Sequence, residues 1–238
     1  MHTHVTDEEA GQDSLKPNRI EELQDGVFAI VMTLLVLEIK IPELADGDVA
    51  RHVLEQWPVI LSYFGSFTLL GIFWVGLHAQ YNYIKFVDRP MLWINLLFLM
   101  FIALLPFSAA IMGRYGTEQF AVILYGTHLT ILGLINYWNW TYATTHHRLV
   151  DHSVSNKLVK LTKKRILVTP VASVIALLIS FAHPLISLII FIIIPPFYII
   201  PGGIDRFWHK PAVPHDDEPL LNGTRSTKGP SRHRKPPR

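Results

Sequence analysis

The sequence contains no cysteine and has few charged residues. Among its 238 residues, Asp, Glu, Lys and Arg make up 17%, whereas apolar residues make up 50%. Soluble domains usually carry about 25% charged residues. The absence of cysteine excludes disulfides, thiolate metal sites and cysteine nucleophiles. The low charge content disfavours soluble enzymes and nucleic-acid-binding proteins, so no nucleic acid partner is expected.

Sequence motifs of several enzyme and transporter classes are also missing. The chain has no HExxH, GxSxG or Walker A sequence and no TVGYG-like potassium filter. No apolar segment is interrupted in the paired, inverted manner of many secondary transporters. We therefore expect no enzyme, no cofactor and no metal site.

Long apolar segments are what the chain does have. A bilayer core of about 30 Å takes roughly 20 helical residues, with about 17 as the lower limit. The last two segments sit at that limit, so a single buried helical hairpin is an alternative there. The sequence predicts an all-α, polytopic membrane protein with six transmembrane helices. Its apolar segments run over about 23–41, 57–79, 91–112, 120–142, 166–182 and 185–201.

Positive charge is distributed unevenly between the two sides of such a protein. All but three of the 21 Lys and Arg residues fall in the two tails or in the second–third and fourth–fifth loops. The exceptions are Lys40, Arg51 and Arg114. The positive-inside rule then places both termini in the cytoplasm, in a cell-membrane protein. Residues 1–17 and 204–238 are predicted to be disordered cytoplasmic tails flanking a transmembrane domain over 18–203.

The first apolar segment combines an acidic residue inside the helix with an apolar stripe. Asn18 is expected to cap its helix, with Glu21 at capping-box spacing, and Asp25 lies two turns inside. Ionisable groups inside spans are costly and are functional candidates. The stripe recurs at i, i+3, i+4 and i+7, which places it on one helical face. Such a stripe usually packs against lipid or another helix, but apolar rings can also gate a pore. The stripe consists of Ile30, Thr33, Leu34 and Leu37.

Two groups of residues that include histidine are further candidates. Trp74 and His78 lie one turn apart near the inner end of the second segment, at the same side as Asp25. Unpaired polar groups are costly in lipid, so a polar hub between Asp25 and His78 is one interpretation. An interfacial aromatic belt with a satisfied histidine is the other. A second cluster lies in the basic fourth–fifth loop, but its spacing matches no established zinc pattern. It contains His146, His147, Asp151 and His152.

Three segments in order resemble the transmembrane protein 175 family of endosomal and lysosomal potassium channels, in its prokaryotic single-repeat form. Members begin with Arg, three variable residues and Phe-Ser-Asp. Here Arg19 and Asp25 match, followed by GVFAIVMTLLVLEI, while Leu23-Gln24 replaces Phe-Ser. IFWVGLH, ending at His78, and LWINLLFLMFIALLPFSAAIMGRY resemble the second and third spans. The resemblance covers about residues 18–201.

The resemblance implies a homotetramer whose first helices line one central pore in the lipid bilayer. Apolar rings would replace a carbonyl filter, and potassium would be the preferred permeant ion. Carried over by position, the rings are Ile30, Leu34 and Leu37, with Thr33 adding hydroxyls and Ile30 forming the narrowest ring. A cytoplasmic network would anchor this pore helix. Its members would be Arg19, Asp25, Trp74, His78 and Asn95. The departure at Leu23-Gln24 falls in this network.

Two other functions stay open on the residues alone. A proton-coupled secondary transporter would use Asp25 and His78, with Glu38 near the outer end. Carriers place a polar site near mid-membrane, where these segments are nearly all apolar. A membrane-embedded enzyme would need several metal ligands at one depth, and Asp25 with His78 supplies only two.

Overall fold

The computed structural model describes residues 17–40 and 49–199. The predicted tails therefore lie, apart from Pro17, outside the described residues. The described chain is all-helical, as the fold class predicted, and its one β-type contact is an isolated antiparallel bridge between Ile84 and Val150. We call the end of the bundle where the first helix begins the proximal end, and the opposite end the distal end.

The described residues contain eight α-helices. A 3-10 turn over Leu35–Glu38 extends the first of them, and another over Thr145–His147 follows the sixth. The α-helices are α1 (Asn18–Leu34), α2 (Val49–Glu55), α3 (Trp57–Tyr81), α4 (Arg89–Ala103), α5 (Leu105–Tyr115), α6 (Gln119–Thr144), α7 (Asn156–Ser180) and α8 (Pro184–Ile199).

Three stretches of helix are long and apolar enough to cross a membrane. They cover 57–81, 89–115 and 119–147. A shorter apolar helix runs over Pro184–Ile193. These stretches agree with a protein that is embedded in a bilayer.

Two helices begin earlier than the sequence predicted. The capping role predicted for Asn18 is wrong: Pro17 precedes the helix with helical backbone angles (φ −56°, ψ −33°), and no side chain caps α1. Proline fixes φ near the helical value, so the helix begins at Asn18, directly after Pro17 and without a side-chain cap. α7 begins ten residues before the predicted segment at 166, because the Ser155 hydroxyl caps it by accepting from the Leu158 N–H over 3.3 Å. A hydropathy pattern does not reveal the first turns of α7, because their residues are mostly polar.

The third predicted segment is broken at Leu104, between α4 and α5. Pro106 lacks an N–H and interrupts the backbone hydrogen bonds there. His128 from α6 spans the break: its Nε2 lies 2.9 Å from the Phe101 carbonyl oxygen, and its Nδ1 lies 2.7 Å from the Ser108 hydroxyl. A carbonyl only accepts, so Nε2 donates to Phe101. With both ring nitrogens engaged, His128 braces the bend from inside the bundle.

α6 lies at the centre of the bundle and packs against α4, α5 and α7. Its closest approach is to α7, where Gly133 faces Pro170 and Gly126 faces Ser173. Small residues allow such close helix contact in membranes, where packing rather than the hydrophobic effect drives association. α1, in contrast, lies at the edge of the bundle, against α3 and α4.

Gly133→Ala tests the α6–α7 contact. A Cβ at this position would lie 2.5 Å from Cδ of Pro170, a ring that is fixed to its own backbone. We expect overpacking of about 1–3 kcal/mol and a lower thermal unfolding midpoint in detergent. The matched control is Gly71→Ala in α3, where a Cβ meets nothing within 4 Å. Equal midpoints for the two variants would contradict the prediction.

Candidate functional site

The two faces of α1 have opposite environments. One face is buried against the bundle and consists of Ile20, Gln24, Phe28, Val31 and, in the following turn, Leu35. The other face carries the predicted stripe. Ile30 is 60% exposed and Leu37 is 63% exposed, and Leu34 and Thr33 are exposed as well. An apolar helix face of the single chain is thus left uncovered.

Thr33 is the polar member of this stripe. Its hydroxyl donates back to the Ile30 carbonyl oxygen over 2.7 Å. The proton is therefore used inside the helix, and the hydroxyl oxygen is left as an acceptor. The stripe offers apolar side chains and one oxygen acceptor.

Asp25 is held by the tryptophan of α3. The Trp74 indole Nε1 donates to the Asp25 carboxylate over 2.7 Å, and the Trp74 ring stacks on His78 with ring centroids 6.0 Å apart. Asp25 and His78 are therefore linked through Trp74, which lies one turn before His78. Among residues 17–40 and 49–199, no hydrogen bond or ion pair joins Arg19 to another side chain.

A second polar cluster lies deeper, where Gln24 points into the bundle. Gln24 Nε2 donates to Asn95 Oδ1 over 2.8 Å, and Asn139 Nδ2 donates to the same oxygen over 3.1 Å. Asn95 Nδ2 in turn donates to the Met91 carbonyl over 3.0 Å. All three amides are buried. The cluster ties α1 to α4 and α6, and Asn95 belongs to it rather than to the Asp25 group.

The distal end of α1 is fastened by a different helix. Arg114, at the end of α5, donates to the Glu38 carboxylate over 3.3 Å and to the Glu38 carbonyl over 3.1 Å. Gln56 donates to the Lys40 carbonyl from just before α3. Glu38 is therefore paired with a basic residue at the edge of the bundle.

The histidine-containing loop after α6 is joined to the α3–α4 loop. Lys85 Nζ lies 2.9 Å from the Asp151 carboxylate, and the Lys85 N–H donates to the Leu149 carbonyl over 2.8 Å. The Ser153 backbone N–H and the Lys85 ammonium hold the pKa of Asp151 well below its usual range. Asp151 is thus an ionised partner of Lys85 at neutral pH.

Histidines of this loop do not assemble a metal site. The rings of His147 and His152 lie 5.5 Å apart, and His146 and His147 both have positive φ angles near 50°. Within 17–40 and 49–199, no three His, Asp or Glu side chains group as a metal site requires.

Sequence reasoning missed the amide cluster as a unit. Asn95 was expected beside Asp25, and Gln24 was noted only as a departure from the resemblance. Asn139 carried no signal of its own, because α6 has polar residues at several positions. The position of the amides along their segments could have indicated the cluster. Gln24 and Asn95 lie within otherwise apolar segments, and amide groups there need hydrogen-bond partners in lipid.

Comparison with known proteins agrees with this architecture. Residues 19–106 match the family profile described as endosomal/lysosomal potassium channel TMEM175. A protein named as a potassium channel from Streptomyces collinus is 36% identical over 153 residues, which cover 62% of this chain and 74% of that protein. The crystal structure of a lysosomal potassium-selective channel TMEM175 homolog from Chamaesiphon minutus superimposes with a TM-score of 0.68 at 26% identity, covering 76% of this chain and 95% of that one.

An animal protein is also similar. The chicken (Gallus gallus) endosomal/lysosomal proton channel TMEM175 is 30% identical over 153 residues, which cover 59% of this chain but only 30% of the chicken protein.

The apolar helical bundle and these matches together define a membrane ion channel rather than an enzyme. The chain belongs to the TMEM175 family, as the resemblance of its first three segments predicted.

Asn95→Leu tests the amide cluster. The substitution leaves the Gln24 and Asn139 amides without their shared acceptor, and a buried donor without a partner costs about 1–3 kcal/mol. We expect a lower thermal unfolding midpoint in detergent. A double-mutant cycle with Gln24→Leu isolates the Gln24–Asn95 pair, and the double variant should lose less than the sum of the single losses. Simple additivity would show that this hydrogen bond contributes nothing.

Proposed function

We propose that the chain is a subunit of a potassium-preferring cation channel whose central pore is lined by α1 of four identical subunits. The observation that carries this proposal is the uncovered apolar stripe on α1. α1 lies at the edge of the bundle, with Gln24, Phe28 and Val31 turned inward. A helix that lines a central pore needs this placement, because its exposed face must meet the same face of the other subunits.

The stripe supports a hydrophobic constriction in place of a carbonyl filter. Four copies of Ile30 form the narrowest ring, followed by Leu34 and Leu37. Narrow apolar rings gate conduction by dewetting. Potassium sheds its hydration water more easily than sodium does, so it crosses such a ring preferentially. The resulting selectivity is modest, because no oxygen cage replaces the lost water.

The membrane topology of the proposal has six spans. They are α1 with its 3-10 turn, α3, the bent pair α4–α5, α6, α7 and α8. Both termini lie in the cytoplasm, and the channel resides in the cell membrane. The charge distribution supports this orientation, because the distal end carries only three of the Lys and Arg residues.

Contacts at the two ends of α1 support its role as a fixed pore helix. Asp25 with Trp74 and His78 anchors the proximal end, and the Gln24–Asn95–Asn139 cluster fixes its rotation. Arg19 belongs to the predicted proximal network, and among residues 17–40 and 49–199 it is joined to no other side chain. Glu38 with Arg114 fastens the distal end.

Proton movement is the second candidate, because animal relatives are named proton channels. A proton-coupled carrier would rest on Asp25 and His78. Both lie at the proximal end, and His128, the titratable group nearest mid-bundle, has both ring nitrogens engaged away from the stripe. A channel therefore fits the arrangement better than a carrier with a mid-membrane site.

Ion flux from purified protein in liposomes tests the proposal directly. Vesicles receive a potassium gradient, a sodium gradient or a proton gradient in separate experiments. We expect fast potassium flux that exceeds sodium flux and needs no proton gradient. Slow, saturable potassium flux that collapses with the proton gradient would establish the carrier instead.

Ile30→Asn tests the assignment of the constriction. The polar amide of asparagine stabilises water in the narrowest ring, so ions cross it with more of their hydration shell. We therefore expect several-fold higher potassium conductance and a potassium-to-sodium permeability ratio closer to unity. The measurement is single-channel recording in planar bilayers. Ile175→Asn on α7 is the matched control, since Ile175 is also exposed and lies outside the stripe. Wild-type currents from Ile30→Asn would remove Ile30 from the pore.

A further inference from the structure

The first turns of α7 carry five basic residues within nine positions, and these residues form two sets. Lys163 Nζ lies 6.0 Å from the centre of the Tyr137 ring, and the Arg165 guanidinium lies 5.8 Å from the centre of the Tyr198 ring. Both are half-buried against the bundle. The other three cations are exposed, and we call them the lysine row. The lysine row consists of Lys157, Lys160 and Lys164.

The lysine row surrounds an open hollow of about 410 Å³, which Asn156 and Leu161 also line. The spacing i, i+3 and i+7 keeps the three ammonium groups on one helical face. No carboxylate neutralises them: the ion pairs among residues 17–40 and 49–199 are Arg51–Glu55, Lys85–Asp151 and Arg114–Glu38. The hollow thus joins one apolar side chain to three cations that pair with no carboxylate of the described residues.

In the six-span topology of the proposed function, on which this placement rests, the lysine row lies at the membrane surface. The apolar part of α7 begins at Ile166, two residues after Lys164. At 1.5 Å per residue, the row extends about 10 Å from Lys164 to Lys157. The headgroup layer on each side of the hydrocarbon core is roughly 5–8 Å thick. Measured from Ile166, Lys164 therefore lies about 3 Å into this layer, Lys160 lies at its aqueous edge at about 9 Å, and Lys157 lies beyond it at about 14 Å, where its long side chain extends back toward the layer.

Helix stability does not account for the row. The start of a helix carries positive partial charge, so cations there are unfavourable. α7 has no acidic residue in its first turn to offset them. Membrane orientation does not account for it either, because the positive-inside rule depends on the number of cations in a loop and not on the helix face they share.

We propose that the lysine row is a binding site for the phosphate headgroup of an anionic phospholipid. The three ammonium groups contact the phosphate, and Leu161 packs beside it against the less polar glycerol part of the headgroup region. Cations near an anionic membrane surface each contribute about 1 kcal/mol, which corresponds to roughly fivefold in affinity per lysine. The site lies on α7, away from the α1 stripe, and does not depend on which ion the protein conducts.

Lipid titration of the purified protein tests this site without measuring flux. Protein in zwitterionic detergent receives phosphatidylglycerol or phosphatidylcholine with identical acyl chains, and native mass spectrometry counts the retained lipids. The thermal unfolding midpoint is followed in parallel, because a ligand that binds the folded state raises it. We expect retention and a higher midpoint with phosphatidylglycerol only.

Charge-matched variants locate the site. A variant that combines Lys157→Gln, Lys160→Gln and Lys164→Gln should lower the apparent affinity for phosphatidylglycerol on the order of 100-fold. The control combines Arg89→Gln, Arg148→Gln and Lys163→Gln, which removes the same charge from the same end of the bundle. This control should retain most of the affinity. If a triple variant does not fold, Lys160→Gln against Lys163→Gln makes the same comparison, with about fivefold loss expected for Lys160→Gln only.

Three outcomes would overturn the proposal. Wild-type retention by the lysine-row variant would remove the site. An equal loss in the control would show that the basic end of the bundle attracts anionic lipid without a defined site. An equal rise in the unfolding midpoint with inorganic phosphate alone would identify a soluble anion rather than a lipid as the ligand.

Discussion

The position of α1 depends on polar contacts. Lipid tails are as apolar as the side chains of a neighbouring helix, so the hydrophobic effect does not drive one apolar helix against another within the bilayer. Gln24 reaches the shared acceptor Asn95 in the bundle, and Asp25 accepts from Trp74 one residue further along. At the opposite end, Arg114 holds Glu38. These contacts fix both the tilt and the rotation of α1, so its apolar stripe faces outward. The proposed pore follows from that rotation.

The remainder of the bundle provides a rigid support for α1. α6 lies at its centre and meets α7 at Gly133 and Pro170 so closely that a methyl group has no space. His128 engages the break between α4 and α5 with both ring nitrogens. Proline thus occurs in this bundle together with a compensating neighbour, which is how membrane helices tolerate interrupted backbone hydrogen bonds.

Much of this architecture was predictable from the sequence, and the exceptions have physical causes. Hydropathy located the apolar helices, and a 3.6-residue period grouped Ile30 with Thr33, Leu34 and Leu37 on one face of α1. The start of α7 at Asn156 was not predicted, because its first turns are polar and a hydroxyl cap, not hydropathy, begins them. The sharing of Asn95 between Gln24 and Asn139 was not predictable either, since it depends on how three helices meet. The periodicity of a sequence indicates which residues share a face of one helix, but it does not indicate which residues meet between helices.

The uncovered stripe of α1 has a consequence for how such a protein diverges. Ile30 and Leu37 contribute little to the interior of their own subunit, because most of each side chain is exposed. Substitutions there leave the folding of the single chain largely untouched, whereas a change at Phe28 or Val31 on the opposite face alters the core. Selection can therefore vary the stripe and the scaffold separately, and in the proposed channel new permeation properties can evolve without passing through misfolded intermediates.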